Sequence, residues 1–278
     1  MNIQIIQVPY DSGHKSIRAG QGPQHFLERG LDRTLLGAGH QVDVSSIASK
    51  APVTTEVGTA LELSRLLAEQ VRSATNNKKF PIVLSGNCNS CLGTITGIGQ
   101  DRLGILWFDA HGDFNTPETT LSGFFDGMGL AIATGRCWQA MLGTVPGFQP
   151  IPEANVIHIG GRDLDPEEEK LLRHSEVTVI QPGENTRARV DAALDHLRDK
   201  VTRLYLHVDI DILDTGEALP NRFAVPGGLS VETVEKIIRK AKEKFEVCAG
   251  AITSFEPSYD KDDKVLNAGI RIAQAFVA

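Results

Sequence analysis

Two short acidic clusters are the part of the chain best suited to chemistry. The first lies in the stretch WFDAHGDFNTP, where Asp109, His111 and Asp113 are spaced two residues apart, and the second lies in HVDID, which carries Asp209 and Asp211 at the same spacing. Side chains two residues apart on extended backbone point to the same side, so each cluster converges if that geometry holds. Carboxylates gathered in this way repel one another and lose solvation unless a cation compensates them.

A divalent metal ion is the simplest compensation. Mixed carboxylate and imidazole ligands suit Mn²⁺ among the common metals. Each aspartate taken alone is also typical of a helix cap or of a turn that follows a strand. Because both clusters occur together, each at the carboxyl end of an apolar run, the metal site is favoured over that alternative.

Eight short runs rich in β-branched residues predict the strands that carry these clusters. They span residues 2–8, 41–47, 81–85, 103–109, 155–160, 177–181, 203–209 and 250–256. Apolar residues recurring at three and four predict helices over 59–74, 166–175, 186–201 and 231–245. The alternation predicts an α/β fold in which an eight-stranded parallel sheet is covered by helices on both faces. We expect one domain over residues 1–278.

The longest stretch without either pattern runs from about residue 110 to residue 127, directly after the fourth predicted strand. Parallel α/β sheets bind ligands beyond the carboxyl ends of their strands. A functional site is therefore expected in this stretch.

Composition narrows the class of protein. The 278 residues are 41% hydrophobic, which is enough for a sizeable core, and the net charge of -7 makes nucleic acid or an anionic membrane surface an unlikely partner. The first residues lack the pattern of a secretory signal, and no apolar run is long enough for a membrane span. The four cysteines are too few and too dispersed for a disulfide scaffold, so we expect a reducing, cytoplasmic setting.

Several motifs then point to a known family. DAHGDFNTPETTLSG, HVDIDILD and SFEPSYD together resemble the arginase family, also called the ureohydrolases. The resemblance extends from RAGQGPQHFLERGL, similar to the family's GxxxGP segment, to VLNAGIRIAQAF near the C-terminus. It implies a three-layer α/β/α fold, and family members often form homo-oligomers.

The resemblance also implies a binuclear manganese centre. Asp109 and Asp209 would bridge two Mn²⁺ ions, His111 and Asp211 would serve one ion, and Asp113 would serve the other. It implies hydrolysis of a guanidinium group by hydroxide, which two cations about 4 Å apart make available near neutral pH by lowering the pKa of a shared water. Asp113 would accept the proton.

The first departure from the family pattern is Cys88. It lies in SGNCNS, where the family usually has GGDHS with a histidine ligand. A thiolate can bind a divalent metal, although it is softer than imidazole and adds negative charge. The alternatives are a small buried hydrophobe and a redox pair with Cys91, and the loop position favours the ligand.

His207 is a second unusual residue, because it shares strand parity with Asp209 and Asp211. It could orient a metal-bound carboxylate or replace a ligand, and a core histidine without a metal role is an equal alternative.

Asp126 is the third departure. Arginases carry SGNLHG after the metal motif, and its histidine shuttles protons to the leaving group, whereas this chain has SGFFDG. A carboxyl group can act as a general acid if its pKa is raised by burial and by neighbouring acids. The alternative is that Asp126 only caps the following helix.

The residues implied for substrate binding match an amino acid with a guanidinium group. Asn115, Thr120 and Ser122 fall on the family's carboxylate-binding positions, and Asp165 and Glu168 fall on those that receive the α-amino group. Glu256 matches the acid that grips the guanidinium, where a fork-shaped cation meets a carboxylate well, and it is also a catalytic candidate. Ser230 is a further substrate-binding candidate.

This set favours L-arginine or a close analogue over agmatine and formiminoglutamate. The combination with Cys88 and Asp126 is similar to the branch that hydrolyses Nω-hydroxy-L-arginine to ornithine and hydroxyurea. The main alternative is an arginase-like protein that has lost catalysis and binds a metabolite or a partner subunit. A weaker one is a thiol-redox protein that uses Cys88 and Cys91.

Overall fold

The structure is a computed structural model that describes residues 1–50 and 55–278. Its strands, in chain order, are β1 (Asn2–Val8), β2 (Tyr10–Asp11), β3 (His14–Lys15), β4 (Gln41–Ser46), β5 (Phe80–Ser85), β6 (Leu103–Phe108), β7 (Val156–Ile159), β8 (Thr178–Ile180), β9 (Arg203–Asp209) and β10 (Glu246–Thr253). Strands β2 and β3 form a small antiparallel hairpin. The others form one parallel sheet in the order β4-β1-β5-β10-β9-β6-β7-β8. The predicted eight-stranded parallel sheet is confirmed.

Helices connect most of these strands. In chain order they are α1 (Gly22–Glu28), α2 (Leu31–Gly37), α3 (Glu56–Asn76), α4 (Cys91–Ile98), α5 (Gly129–Ala133), α6 (Gln139–Leu142), α7 (Pro166–Arg173), α8 (Thr186–Leu197), α9 (Val231–Lys244) and α10 (Lys264–Val277). Across the described ranges, none has the combination of length and apolar character that a membrane span requires.

The helices cover both faces of the sheet, because the central strands bury both of their faces. In β6, Ile105 and Trp107 belong to one core, whereas Leu106 and Phe108 belong to the other. The first core is closed by α3 to α7, and the second by α1, α2 and α8 to α10. The result is the predicted three-layer α/β/α arrangement.

Two of the differences from the sequence prediction have a clear structural cause. The last strand covers Glu246–Thr253 instead of 250–256 because Ser254 adopts a left-handed φ of 65°, which ends the extended backbone. Helix α4 was not predicted because all eight of its residues are buried, so its sequence has no polar face to give a helical period.

The central strands bring the acidic clusters together. Strands β5, β10, β9 and β6 are neighbours, and Thr253 at the end of β10 lies in register with both Ser85 and Asp209. The chain beyond β6 has neither strand nor helix from Asp109 to Phe125, as predicted. The site therefore lies at the carboxyl edge of the sheet.

Candidate metal centre and substrate pocket

Four buried aspartates lie at this edge: Asp109, Asp113, Asp209 and Asp211. Burial, followed by the neighbouring carboxylates, raises the pKa of Asp109, Asp113 and Asp209. Burial also acts on Asp211, but the adjacent His111 outweighs it and lowers the pKa of that carboxyl. So many acids in a dry position are costly without a cation.

The candidate ligand atoms form two overlapping groups. Cys88, Asp109 and Asp113 make one group, and Asp109, His111 and Asp211 make the other, with the ligand atoms of each group within 4.8 Å of one another. Asp109 is shared by both groups. Asp209 joins the first group, because the Cys88 thiol donates to its Oδ2 at 3.0 Å. The arrangement can hold two adjacent cations that share carboxylates.

Backbone and indole donors fix the orientation of these carboxylates. Asp109 accepts from the His111 amide at 2.8 Å and from Trp107 Nε1 at 3.1 Å. Asp209 Oδ1 accepts from the Asp211 amide at 2.9 Å, and Asp211 Oδ1 accepts from the Ala110 amide at 3.1 Å. Asp209 and Asp211 each direct their Oδ2 atom to a side chain of the cluster, the Cys88 thiol and His111 Nδ1 respectively.

The surroundings of Asp113 indicate most clearly that this carboxylate is suited to bind a cation. It adopts a left-handed φ of 48°, which turns the loop inward, and it is buried. Its Oδ2 has no hydrogen-bond partner within the described residues. A buried carboxylate oxygen left without a donor fits a metal ligand.

His111 links the two strand ends. Its Nδ1 lies 3.2 Å from Asp211 Oδ2 and 3.4 Å from Asp109 Oδ1. Burial alone would lower the pKa of His111, but Asp211 and Asp109 reverse that effect and raise the pKa well above its usual value. The raised pKa favours the protonated ring, which pairs with the two carboxylates of the second ligand group.

A glycine lets the neighbouring loop pack against the metal strand. Gly160 has a φ of +118°, and a Cβ there would lie 2.3 Å from the Asp109 carbonyl oxygen. The Asp109 amide donates to the Ile159 carbonyl at 3.0 Å. Only glycine combines this backbone conformation with so close an approach.

Cys88 lies inside the acidic cluster. It is the first residue of a short 3₁₀ turn after β5, and its sulfur also lies 3.1 Å from Thr253 Oγ1. Burial, followed by Asp209, raises the pKa of the thiol well above its usual value. Cys91 is also free, and its thiol donates to the Gly129 carbonyl instead of approaching Cys88. The structure therefore places Cys88 with the metal candidates and does not pair it with Cys91.

Asp126 also faces the pocket. It begins a 3₁₀ turn, and its side chain bonds to residues outside that turn. It accepts from Asn87 Nδ2 and from the Asn89 amide, both at 2.8 Å. Burial raises the pKa of Asp126 to about 7, which suits a general acid near neutral pH.

A pocket of about 280 Å³ opens above the acidic cluster. Its walls include six of the seven predicted substrate-binding residues: Asn115, Thr120, Ser122, Asp165, Glu168 and Glu256. The seventh, Ser230, is not among the residues that line this pocket. It caps α9, where its hydroxyl accepts from the Thr233 amide. The signal was ambiguous, since serine is also a preferred residue at the start of a helix.

Asp165 and Glu168 act together at the start of α7. They form a reciprocal capping box, and Glu168 also accepts from the Phe114 amide at 2.8 Å. Burial raises the pKa of Glu168 to about 7. Asn115 donates to Asp165 Oδ2 at 3.0 Å, so the helix start and the loop after β6 hold one wall of the pocket.

His207 lies beneath the site and not in the pocket. Its ring stacks on Trp107 with centroids 3.6 Å apart, and its Nδ1 lies 2.9 Å from the Tyr205 hydroxyl. Burial lowers its pKa to about 3, so it is neutral. It contacts the indole that donates to Asp109, which places it behind the candidate ligands and not among them.

Two features of the pocket were missed by the sequence reasoning. Asp11 and Arg18 form a two-pronged ion pair in its wall, at 2.9 and 3.0 Å. Arg222 and Phe223, in the loop between β9 and α9, form another part of the wall. Arg18 lies within the RAGQGP motif, which could have drawn attention to it, but the loop with Arg222 has no periodic pattern.

The fold and the geometry define an α/β protein with a candidate binuclear metal centre at the carboxyl edge of a parallel sheet. A family model described as the arginase family matches residues 1–278. The chain belongs to the arginase family, whose members are hydrolases that act on guanidino carbon–nitrogen bonds.

Individual relatives match the sequence of this chain over nearly their whole length. The chain is 27% identical to the arginase of Bacillus subtilis, over 99% of this chain and 97% of that protein. It is 29% identical to the arginase of Brevibacillus brevis, over 100% of this chain and 96% of that protein. A crystal structure of the Bacillus subtilis arginase superposes with a TM-score of 0.89 at 26% identity, covering 100% of this chain and 99% of that one.

Proposed function

We propose that the protein hydrolyses the guanidinium carbon–nitrogen bond of L-arginine or a close analogue such as Nω-hydroxy-L-arginine. The products are ornithine and either urea or hydroxyurea. The observation that carries the proposal is the pair of ligand groups that share Asp109 at the base of a pocket lined by acids. Membership of the arginase family supports the same reaction class.

The cofactor of this proposal is a pair of Mn²⁺ ions. Cys88 and Asp113 would hold one ion, His111 and Asp211 would hold the other, and Asp109 and Asp209 would contribute to both. The fit rests on the donor set and on the unpartnered Asp113 Oδ2. When bound, the ions supply a water that is acidic enough to act as a nucleophile near neutral pH.

The side chains around the ions have separate tasks. Glu256 follows β10 and lines the pocket, where its carboxylate binds the substrate guanidinium through charge-assisted hydrogen bonds. Asp113 accepts the proton of the attacking water. Asp126 donates a proton to the leaving amine, which its pKa of about 7 permits.

The substrate head is held at the mouth of the pocket. Asp165 and Glu168 lie where they can receive an α-amino group, and Asn115, Thr120 and Ser122 line the adjoining wall. Agmatine lacks the carboxylate of this head and formiminoglutamate lacks the guanidinium. Cys88 and Asp126, which replace histidines of the family pattern, favour the hydroxylated analogue over arginine itself.

The cysteines support the proposed setting of the enzyme. Cys88, Cys91, Cys137 and Cys248 are all free thiols. Free thiols persist in a reducing compartment, which supports the proposal of a cytoplasmic enzyme.

A substrate panel tests the proposed function. The manganese-loaded protein is incubated with L-arginine, Nω-hydroxy-L-arginine, agmatine and formiminoglutamate, and ornithine, urea and hydroxyurea are quantified. We expect ornithine from the first two substrates, with the higher kcat/KM for the hydroxylated one. A metal-loaded, folded protein that releases no product from any of the four would support the metabolite-binding alternative instead.

A further inference from the structure

The charge of the pocket wall raises a question about the substrate's carboxylate. Nine acidic side chains line the described part of the wall, whereas the arginines in it are Arg18 and Arg222. A guanidino amino acid presents two cationic groups and one anionic group. The cationic groups have many partners among the acids, but a carboxylate would be repelled unless it lies beside one of the two arginines.

Arg18 is already engaged. Its Nε donates to Asp11 Oδ2 at 2.9 Å and its Nη2 donates to Asp11 Oδ1 at 3.0 Å. This two-pronged geometry uses the most favourable donor edge of the guanidinium and neutralises its charge. Arg18 is therefore poorly placed to receive a second carboxylate.

Arg222 is different. Within residues 1–50 and 55–278, no carboxylate pairs with it; its guanidinium carbon lies 4.6 Å from the centre of the Phe223 ring. Stacking on an aromatic face holds a guanidinium in place and leaves its edge donors free. An arginine that lines a pocket and keeps its donors free is suited to bind an anion.

The ring of Phe223 connects Arg222 to the turn that carries Thr120 and Ser122, which are predicted to bind the carboxylate. Phe223 stacks on Phe124 with ring centroids 5.7 Å apart, and Phe124 follows Ser122 by two residues. Phe223 also makes a T-shaped contact with the His111 ring, with centroids 6.4 Å apart, so its ring contacts both the turn and the metal centre.

Some polar groups of this turn already make hydrogen bonds within the protein. Thr120 Oγ1 accepts from the Gly123 amide at 3.0 Å, and Ser122 Oγ accepts from the Phe124 amide at 3.2 Å. The side-chain amide of Asn115 donates to Asp165 Oδ2. The two hydroxyls can still donate, but they bring no positive charge to a wall that is strongly acidic.

We propose that Arg222 binds the α-carboxylate of the substrate and thereby selects amino acids over decarboxylated or amidated guanidines. The inference rests on the proposed function, since it assigns a specificity residue to the same pocket. Phe223 is the positioning residue that holds the guanidinium, and the hydroxyls of Thr120 and Ser122 donate to the carboxylate from the opposite side. The α-amino group then lies toward Asp165 and Glu168.

The test compares two ligands that differ only in that charge. L-Arginine and L-argininamide are offered to the manganese-loaded protein and to the variants Arg222→Gln and Arg222→Lys, with the exposed Arg239→Gln on α9 as the matched control. The Kd of each ligand is measured by calorimetry, and KM and kcat are measured for hydrolysis.

For Arg222→Gln, we expect the Kd and KM of L-arginine to rise about tenfold or more, which is the loss of one charge-assisted hydrogen bond. The values for L-argininamide should change by about twofold or less, kcat should hold, and Arg222→Lys should recover most of the loss. Equal effects on the two ligands, or no effect on L-arginine, would overturn the inference. If no ligand is hydrolysed, the proposed function fails, and the Kd comparison still decides the role of Arg222.

Discussion

At the scale of single residues, the sulfur of Cys88 distinguishes this site most clearly. The thiol lies within reach of Asp109, Asp113 and Asp209 and is buried with them. A cation bound there would favour the thiolate, because its charge would offset the burial and the neighbouring carboxylates that raise the pKa of the thiol. Sulfur is a softer donor than imidazole, so it changes both the affinity and the spectrum of the bound metal.

We predict that the cobalt-substituted protein shows a sulfur-to-metal charge-transfer band in the near ultraviolet. Cys88→Ser should abolish the band and weaken the binding of one ion, since a hydroxyl is a poorer ligand than a thiolate. Cys88→His should bind manganese at least as well as the native protein. Absorption spectroscopy and metal titration measure these changes.

Cys91→Ser is the matched control for this prediction. Cys91 is equally buried, but its thiol donates to a backbone carbonyl and not to an acid of the cluster. The band should survive this change. A band that persists in Cys88→Ser, or disappears in Cys91→Ser, would exclude Cys88 as the ligand.

The raised pKa of Asp126 leads to a prediction about the pH dependence of kcat. Because burial raises its pKa to about 7, the carboxyl keeps its proton below pH 7 and loses it above. If Asp126 protonates the leaving amine, kcat should fall as the pH rises through this value. Asp126→Asn should lower kcat by roughly 10²-fold or more and remove that limb of the profile. The control is Asp163→Asn, at a more exposed acid of the same pocket, which should retain the fall of kcat with rising pH. An unchanged pH profile in Asp126→Asn would assign the proton to another group.

At the scale of elements, the start of α7 is coupled to the metal loop through Glu168. Its carboxylate accepts from the Phe114 amide, and it lies so near Gly112 that a Cβ there would be 2.6 Å from its carboxyl carbon. This side chain therefore supports the loop that carries His111 and Asp113.

We predict that Glu168→Ala lowers the free energy of unfolding by about 1–3 kcal/mol, because it leaves a buried amide without an acceptor. It should also weaken metal binding, since the loop loses its support. Glu169→Ala, at the exposed next residue, should change stability by about 0.5 kcal/mol or less. Urea denaturation and metal titration provide the comparison. Equal stabilities of the two variants would contradict this role.

The elements also show how far sequence reasoning reaches. All eight sheet strands were predicted, because buried parallel strands are short β-branched runs that need no information from distant residues. The acidic clusters followed from spacing at strand ends. Helix α4 and the Asp11–Arg18 and Arg222–Phe223 pairs were not predictable, because each depends on which loops and helices pack together. Ser230 lies at the start of α9, where its hydroxyl caps the helix, and the sequence alone could not separate that role from substrate binding.

At the scale of the whole molecule, the stability of the metal-free protein should fall as the pH rises. The folded-state pKa values of Asp126 and Glu168 are both raised to about 7 by burial. The unfolded chain would hold these protons less tightly, near a pKa of about 4. The stability that the protonated forms contribute is therefore present below about pH 4 and is lost as the pH rises to about 7.

We predict that the Tm of the metal-free protein falls between about pH 5 and pH 8. Added manganese should raise the Tm, and more strongly at pH 8 than at pH 5, because ligand carboxylates must be deprotonated to bind the metal and only the folded state forms the site. Thermal denaturation across this range with and without manganese measures both effects. A Tm of the metal-free protein that rises steadily over the range would contradict the assignment.

The most direct test of the metal centre is elemental analysis after manganese loading and removal of free ions. The native protein should retain about two divalent ions per chain, and Asp109→Ala should lose both while remaining folded, since Asp109 belongs to both ligand groups. Asp163→Ala, at the mouth of the same pocket, should retain them. A folded native protein that holds no divalent ion after loading would contradict the binuclear metal centre on which the proposed hydrolysis depends.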